Sequence, residues 1–416
     1  MEQPVSLQDI IRAEQRLKKV LKRMPLMRSD VLSEQYGCSV YLKREDLQVV
    51  RSFKIRGAYN KMHSLPEEAL SRGVVCASAG NHAQGVAFSC RELAVRGCIF
   101  MPVTTPKQKI RQVQRFGGEF VEIVLAGDTF DDSAAAARAY CDEHGMAFIH
   151  PFDDPQVIAG QGSVGLEIMT DDVPEIDYIF GTIGGGGLMA GVGTYVKGTG
   201  PHTKLIGCEP AGAASMQAAF EAGGPVTLEK VDKFVDGASV KRVGDLTYRI
   251  CREVLDGIAV VPEGKVCGTI LQVYNDSAIV LEPAGALPIA ALDQYRDEIR
   301  GRTVVCILSG SNNDIARMQE IKERAMVFEG LKHYFIVQFP QRPGALREFV
   351  GEVLGPDDDI ARFEYTKSND KEKGPVLIGV ELARASDYQS LLERMEAKGF
   401  AYTVISEDTL LFNLFV

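Results

Sequence analysis

One pattern recurs from about residue 40 to residue 325 and limits the fold more than any other feature of this 416-residue chain. A short apolar run rich in β-branched residues is followed by a turn and then by a segment with helical periodicity. The clearest pairs are 74–77 with 81–93, 98–101 with 105–116, 119–125 with 129–144, 178–182 with 188–196, and 303–308 with 313–325; a further strand-like run is 205–209. Because the runs lack strict apolar–polar alternation, they are typical of strands covered on both faces. We therefore predict an open α/β body with mostly parallel sheets.

The pattern changes near residues 327–331. Strand-like and helix-like segments then follow in the order β-α-β-β-α-β, at 334–339, 344–354, 363–367, 375–382, 386–398 and 401–405, with a last apolar stretch at 409–415. This order is that of a ferredoxin-like unit. We expect one face of its small sheet to be open and to be covered by pairing with another copy. The sequence predicts a first domain over residues 1–328 and a second over residues 331–416.

Charge and composition exclude several classes of function. Lys and Arg number 46 against 56 Asp and Glu, and the resulting net charge of −10 argues against binding to a nucleic-acid backbone. No apolar run reaches the roughly 18 residues of a membrane helix, and residues 1–17 lack the apolar core of a signal peptide. We expect a cytoplasmic protein without nucleic-acid or membrane partners. The nine Cys form no C-x-x-C pair, so we predict reduced core thiols, with neither disulfides nor zinc.

The segment 52–58 (SFKIRGA) carries a candidate nucleophile, Lys54. A nucleophilic lysine must lose its proton near neutrality, and nearby cations lower the pKa of an ammonium group. We expect that effect if the neighbouring cations converge, namely Lys43, Arg44, Arg51 and Arg56. Taken alone, such a segment is more often a solvated basic stretch. The interpretation of Lys54 as a nucleophile therefore depends on the other motifs of the chain.

Residues 78–85 (SAGNHAQG) follow a predicted strand and open a predicted helix. Ser and Asn side chains and free backbone N–H groups therefore meet at a helix N-terminus, where anions bind. An ordinary helix cap by Ser78 or Asn81 explains the same residues equally well. His82 on its own is more often structural.

Two further loops also follow predicted strands. Four consecutive glycines at 184–187 allow successive N–H groups to surround a phosphate at a helix N-terminus, although a glycine run is often only a flexible loop. Residues 309–313 (SGSNN) end a strand at the carboxyl edge of the sheet, where open α/β folds bind ligands, but a polar loop that caps the next helix has the same composition. Three such loops and one amine together indicate a phosphate-bearing carbonyl cofactor.

These four motifs, in this order and at this spacing, resemble the biosynthetic threonine dehydratases (threonine ammonia-lyases) of the pyridoxal-phosphate fold-type II family. The whole chain is similar to the form with a single C-terminal ACT-like regulatory domain. The resemblance implies a catalytic domain of two α/β subdomains, the smaller one inserted at roughly residues 55–155, and pyridoxal 5'-phosphate as cofactor.

The resemblance also implies a role for each matched residue. Lys54 would hold the cofactor covalently and serve as the catalytic base, and Phe53 would lie against the ring. Asn81 would bind the ring hydroxyl, Ser309 would face the pyridine nitrogen, and the glycine loop would hold the phosphate. The implied cofactor-binding residues are Phe53, Lys54, Asn81, Gly184, Gly185, Gly186, Gly187, Leu188 and Ser309, and the implied substrate-binding residues are Ser78, Ala79, Gly80 and His82.

The implied reaction is the elimination and deamination of L-threonine to 2-oxobutanoate and ammonia, the first committed step of isoleucine biosynthesis. Isoleucine would inhibit it allosterically from a pocket beside residues 342–346 or from the domain interface. The resemblance further implies a homo-oligomer, a dimer or a tetramer.

A departure from related enzymes bears on metal binding. Serine racemases and related dehydratases carry a divalent-metal site made of a Glu, a backbone carbonyl and an Asp. Glu209 and Ala213 match that pattern here, but Ser215 stands where the Asp would be. We therefore predict no strong divalent-metal site, which leaves a weak monovalent site open, and we expect Glu209 and Glu282 to be structural carboxylates at helix ends.

Other functions share the same motifs. A catabolic serine or threonine dehydratase and a serine racemase use the same core, and a catalytically silent amino-acid sensor could be built from a degenerate one. The C-terminal extension favours the regulated biosynthetic enzyme, and an intact Lys54 disfavours the sensor. Threonine and serine differ by one methyl group, worth only about 1 to 3 kcal/mol in discrimination, so the sequence leaves their ranking open.

Overall fold

The computed structural model describes residues 4–365 and 372–405. Its strands are β1 Leu26–Arg28, β2 Ser39–Arg44, β3 Val74–Ala77, β4 Gly97–Met101, β5 Val121–Leu125, β6 Ala147–Phe148, β7 Tyr178–Thr182, β8 Lys204–Pro210, β9 Gly257–Val261, β10 Thr303–Leu308, β11 Lys332–Pro340, β12 Asp359–Tyr365, β13 Lys373–Glu381 and β14 Tyr402–Ile405. Its helices are α1 Leu7–Leu17, α2 Asp30–Tyr36, α3 Lys54–His63, α4 Glu67–Arg72, α5 Asn81–Leu93, α6 Lys107–Gly117, α7 Phe130–His144, α8 Pro155–Met169, α9 Gly187–Thr199, α10 Ser215–Ala222, α11 Asp245–Val254, α12 Glu263–Ser277, α13 Pro283–Ala290, α14 Met318–Phe328, α15 Ala345–Glu352 and α16 Tyr388–Ala397.

The chain forms two compact units. The first runs from the N-terminus to Glu263 and from Val273 to Asn313. The second contains Gly264–Gln272 and the chain from Asp314 onward. Helix α14 therefore belongs to the second unit, whereas the division of the chain into residues 1–328 and 331–416 stays a prediction.

The larger sheet of the first unit has six strands in the order β1-β2-β10-β7-β8-β9. All neighbours are parallel except β1, which pairs with β2 in the antiparallel sense. This confirms the predicted open, mostly parallel α/β body. From β7 the chain proceeds to β8 and β9 on one side and then returns to β10 on the other side. The crevice between the carboxyl ends of β7 and β10 is thus a topological switch point, the usual place for a ligand in such sheets.

The smaller sheet lies between β2 and β7 in the chain and has the order β5-β4-β3-β6, with every pair parallel. Its strand order also reverses, because β4 and β5 lie on one side of β3 and β6 lies on the other. The loops that follow β3 and β6 therefore meet at a second switch point.

Small residues bring three helices of the first unit close together. A Cβ atom added at Gly160 of α8 would lie 2.4 Å from the carbonyl oxygen of Arg56 in α3. A Cβ atom at Gly191 of α9 would lie 2.3 Å from the carbonyl oxygen of Ile158 in α8. Real side chains do not fit at such distances, so glycine is required where these helices cross.

All nine Cys are buried, which confirms that they are core residues, whereas their reduced state stays a prediction. Among the described residues, no helix is both long enough and apolar enough to cross a membrane.

The second unit contains a four-stranded antiparallel sheet in the order β12-β13-β11-β14. With α15 and α16 between its strands, this is the predicted ferredoxin-like order. One face packs against the two helices through a core that includes Phe339, Phe349 and Leu391. The stretch 409–415 lies outside the described residues.

The other face of that sheet is not fully open, which corrects the sequence prediction. Val327 of α14 packs against a small cluster on it formed by Tyr334, Leu377 and Ile405. Lys332 of β11, buried at its side chain, pairs with Glu323 of α14 at 2.8 Å. Helix α14 begins at Met318 rather than near residue 313, because the Asp314 side chain first caps a 3-10 turn.

A buried ion network joins α3 to its surroundings in the first unit. Arg56 of α3 donates two hydrogen bonds to Glu45, at 2.7 and 2.8 Å, and two to Glu167 of α8, at 2.8 and 2.9 Å. Lys43 of β2 pairs with the same Glu167 at 2.5 Å. The side chains of Arg56 and Glu45 are 1% and 0% exposed, so none of these charges can be left without its partner at low cost.

We predict that Glu167→Gln destabilises the protein by about 3 to 5 kcal/mol, because it leaves two buried cations short of a counter-charge. Urea unfolding followed by circular dichroism measures the change. The matched control is Glu68→Gln, which removes an exposed pair with Arg72 on α4 and should change stability by about 0.5 kcal/mol or less. Equal midpoints for the two variants would contradict the role assigned to the network.

Candidate active site

Lys54 is the first residue of α3 and lies where the two switch points meet. Its Nζ donates a hydrogen bond to the carbonyl oxygen of Pro151, at 3.0 Å, in the segment that follows β6. Burial lowers the pKa of Lys54 to about 8, although the charge of Glu282 acts in the opposite direction. An amine with this pKa is partly unprotonated near neutrality, as a nucleophile or a base requires.

The predicted cause of that low pKa is wrong. Arg56 and Lys43 are paired with carboxylates in the network described above, and Arg44 is paired with Asp46 at 2.8 Å. Their charges are therefore neutralised locally. Desolvation of the amine, rather than a cluster of free cations, lowers the pKa of Lys54.

The four glycines form a tight turn between β7 and α9. Gly186 has a φ of +93°, and a Cβ atom there would lie 2.8 Å from Met216 and 2.9 Å from Thr247. A Cβ atom at Gly185 would lie 2.2 Å from the ring of Phe152. The turn is therefore a packed loop that only glycine can form, and not a flexible linker.

The hydrogen bonds of this loop use its carbonyl groups. Thr247 Oγ1 donates to the carbonyl oxygen of Gly185 at 2.6 Å, and the N–H of Ala190 donates to that of Gly186 at 2.9 Å. In the part of the chain that the structure describes, the N–H groups of residues 184–186 have no acceptor. Unpaired N–H donors at the N-terminus of a helix fit a phosphate group.

Helix α11 supports the glycine loop from behind. The carboxylate of Asp153 accepts hydrogen bonds from the N–H groups of Asp245, Leu246 and Thr247, at 3.2, 3.0 and 3.1 Å. It therefore caps α11 and fixes the helix that carries Thr247 against the loop. No local pattern in the sequence marks Asp153, because its partners lie 92 to 94 residues away.

The loop after β3 leads directly into α5. Its N-cap is Gly80, without a side-chain cap, so neither Ser78 nor Asn81 acts as the ordinary cap that the sequence also allowed. Ser78 Oγ accepts a hydrogen bond from the N–H of Gly80 at 3.2 Å, and Ala79 lies between them in the half-buried turn. The Asn81 side chain faces Glu282 and Asn312, with contacts of 2.7 and 2.6 Å. Asn81 therefore joins the loop after β3 to the loop after β10.

Two imidazoles lie near Lys54, and both stay neutral. The Nε2 atom of His82 contacts the carbonyl oxygen of Ile149 at 2.8 Å, and burial lowers the pKa of His82 to about 3. His150 Nδ1 accepts a hydrogen bond from the N–H of Asp153 at 2.7 Å, and burial lowers the pKa of His150 to about 4. The His82 side chain thus ties α5 to the segment after β6, and its predicted contact with substrate stays a prediction.

Ser309 and Phe53 connect β10 to the start of α3. The N–H of Phe53 donates to the carbonyl oxygen of Ser309 at 3.1 Å, and the two residues are 8% and 2% exposed, respectively. The amine of Lys54 lies 5.3 Å from the centroid of the Phe53 ring. Both residues are therefore placed beside Lys54, as the proposed roles require.

The two buried carboxylates expected at helix ends differ in their surroundings. Glu209 accepts hydrogen bonds from the N–H groups of Met216 and Gln217, at 2.7 and 2.8 Å, and so caps α10. Glu282 precedes α13 but makes no side-chain cap there. Glu282 is thus at a helix end, as expected, because it is the N-cap residue of α13, but its carboxylate contacts Asn81 rather than the helix backbone.

Comparison with known proteins agrees with this geometry. Residues 17–310 match the family model described as pyridoxal-phosphate dependent enzyme, and residues 323–415 match that of the C-terminal regulatory domain of threonine dehydratase. The chain is 60% identical over 412 residues to the biosynthetic L-threonine dehydratase of Halalkalibacterium halodurans, and the match covers 99% of each chain. The identity with the Bacillus subtilis protein of the same name is 58% over 412 residues, which cover 99% of this chain and 98% of that protein.

Solved structures show the same likeness. A processed form of threonine deaminase isoform 2 from Solanum lycopersicum is 42% identical, with a TM-score of 0.74 over 77% of this chain and 87% of that one. Serine racemase from Dictyostelium discoideum is 32% identical, with a TM-score of 0.70 over 75% of this chain and 100% of that one. The chain therefore belongs to the family of pyridoxal-phosphate-dependent enzymes, and within it to the biosynthetic L-threonine dehydratases with a C-terminal regulatory domain.

Proposed function

We propose that this protein converts L-threonine to 2-oxobutanoate and ammonia, as the first committed step of isoleucine biosynthesis. The observation that carries the proposal is the pairing of a desolvated amine at Lys54 with a glycine loop whose N–H groups are unpaired. Those two features supply what a phosphate-bearing aldehyde cofactor needs, a nucleophile and an anion site. The full-length likeness to biosynthetic threonine dehydratases supports threonine as the substrate.

Different residues of the site would bind the cofactor and remove the α-proton of the substrate. Lys54 binds the cofactor aldehyde through its amine, and the N–H groups of residues 184–188 bind the phosphate. When bound, pyridoxal phosphate withdraws electrons from the α-carbon of the substrate. The amine of Lys54, freed when substrate binds, would then remove the α-proton, because its lowered pKa leaves part of it unprotonated near neutrality.

Other residues orient the substrate and favour elimination. The N–H groups and hydroxyl of residues 78–80, at the N-terminus of α5, are suited to bind the substrate carboxylate. Ser309 would offer a neutral hydroxyl to the ring nitrogen, where an acidic residue would favour full protonation. A neutral partner would leave the ring a weaker electron acceptor and so would favour prompt loss of the β-hydroxyl. The released enamine becomes an imine, which water converts to the oxo acid and ammonia.

We further propose that the ferredoxin-like domain is a regulatory domain that binds isoleucine beside residues 342–346. Gly344, with a φ of +89°, forms the turn into α15 there. Inhibition by the end product of the pathway is a function that such an attached domain can serve. We also propose a cytoplasmic homo-oligomer, a dimer or a tetramer.

Lys54→Ala should abolish both threonine dehydration and the visible absorbance of bound cofactor, because one amine supplies the covalent link and the base. The matched control is Lys61→Ala on the same helix, which removes a partly exposed pair with Asp154 and should keep both. Absorbance spectra and 2-oxobutanoate production measure the outcome. Substantial activity in Lys54→Ala would refute the assignment.

The low pKa of Lys54 predicts a distinct pH dependence. In the cofactor-free protein, the rate of reaction with pyridoxal phosphate should rise with pH through about 8, because only the unprotonated amine attacks the aldehyde. A lysine in water would show this rise near about 10.4. Stopped-flow absorbance across pH 6 to 11 measures it, and a midpoint above about 10 would show that the amine is not desolvated.

Isoleucine should raise the threonine concentration needed for half-maximal rate by about fivefold or more, a typical coupling between two sites. In the full-length chain, Gly344→Val should weaken that response, because a β-branched residue resists the positive φ of the turn. The control is Gly399→Val in the same domain, where φ is +72° and nothing lies within 4 Å of the added Cβ atom. Initial rates with and without isoleucine measure both, and an unchanged response in Gly344→Val would place the effector site elsewhere.

A further inference from the structure

A chain of four groups crosses the floor of the site, between the loops after β3 and β10. The Nδ2 atom of Asn312 donates to the carbonyl oxygen of Val50 at 2.9 Å and to Asn81 Oδ1 at 2.6 Å. The Nδ2 atom of Asn81 in turn donates to Glu282 Oε1 at 2.7 Å. The described function uses Asn81 but gives no role to Asn312 or Glu282.

The chemistry of the two end groups fixes the orientation of both amides. A backbone carbonyl can only accept a hydrogen bond, so the atom of Asn312 that faces Val50 must be Nδ2. That nitrogen also faces Asn81, so the atom it meets there must be the oxygen Oδ1. The other end of the Asn81 amide, its nitrogen, then faces an oxygen of Glu282, which accepts. Each link confirms the next, so a flipped Asn81 would break two hydrogen bonds at once.

Glu282 is held in place by its surroundings. The residue is 4% exposed, and a Cβ atom added at Gly310 would lie 2.3 Å from its Oε1. Its N–H donates to the carbonyl oxygen of Gly310 at 3.2 Å. Burial raises the pKa of Glu282 to about 7. In either protonation state the carboxyl group keeps an oxygen that can accept from Asn81.

One N–H of Asn81 remains. Its Nδ2 carries two hydrogens, and the described contacts use only the one directed at Glu282. Asn81 is half-buried, and when a ligand covers it, an N–H left without a partner costs more than a carbonyl oxygen with a free lone pair. The group of Asn81 that needs a partner from a ligand is therefore a donor, which matches an oxygen acceptor on the ligand.

We propose that Glu282 and Asn312 are positioning residues that lock the Asn81 amide so that it presents an N–H to the ring oxygen of pyridoxal phosphate. This inference rests on the proposed function, because it assumes that the cofactor binds at Lys54. Neither residue touches the reacting atoms. Their effect is to make the site prefer a ring with an oxygen acceptor at that position.

The test compares two ligands that differ only at that oxygen. Pyridoxal phosphate and 3-deoxypyridoxal 5'-phosphate share the aldehyde and the phosphate, and only the first has the ring oxygen. Equilibrium dialysis of the full-length, cofactor-free protein gives a dissociation constant for each, and their ratio is the preference for the ring oxygen. Asn81→Ala sets the preference that remains when the amide is absent.

Glu282→Leu and Asn312→Ala should each lower this preference by about tenfold, the value of one hydrogen bond with a charged or strongly polar partner. Glu282→Gln keeps an acceptor oxygen of the same shape and should retain the preference within about threefold. The matched control is Glu209→Gln, another buried carboxylate whose pKa burial raises to about 7 but which caps α10. It should leave the preference unchanged even if it lowers stability.

Asn312 is only half-buried, so Asn312→Ala carries the test if Glu282→Leu does not fold. An unchanged preference in the folded variants would overturn the inference and leave the proposed function standing. If Glu209→Gln lowers the preference as much as Glu282→Leu does, the inference is likewise overturned and the proposed function still stands. If neither ligand binds to the unmodified protein, the proposed function fails, and the inference fails with it.

Discussion

The placement of Lys54 depends on the buried ion network around Arg56. Arg56 lies two residues after Lys54 on α3 and is held between Glu45 and Glu167 by four hydrogen bonds. Buried charges of this kind are retained only with their partners, so α3 has one stable orientation. The same network neutralises the charges of Arg56 and Lys43. The pKa of the amine is therefore set by desolvation, and the network affects the chemistry only through geometry.

Around that fixed helix, the fold joins two switch points into one site. The loops after β7 and β10 come from the larger sheet, and the loops after β3 and β6 come from the smaller one. Hydrogen bonds connect the two sets of loops: Asn312 donates to Asn81, and Lys54 donates to the carbonyl oxygen of Pro151. The proposed anion site, nucleophile and amide donor thus come from different parts of the chain, and none of them suffices alone.

The sequence predicted those parts better than it predicted their relations. Strands β3, β7 and β10 and helix α5 have the expected bounds, because buried parallel strands and a glycine-marked helix start leave strong local patterns. The motif loops could be found in the same way. The pairing of Arg56 with Glu167 and the contact of Glu282 with Asn81 join residues 100 or more positions apart, for which a single sequence carries no local signal. The periodicity of helix α14 likewise predicts a helix but does not indicate which sheet that helix covers.

We propose that Lys54 holds pyridoxal phosphate where these loops meet. Borohydride reduction of the cofactor-loaded protein makes such a link permanent, and peptide mass spectrometry then locates it. We expect one pyridoxyl phosphate group for each chain, on the peptide that contains Lys54. A modified lysine elsewhere, or unmodified Lys54 in protein that retains its cofactor, would contradict it.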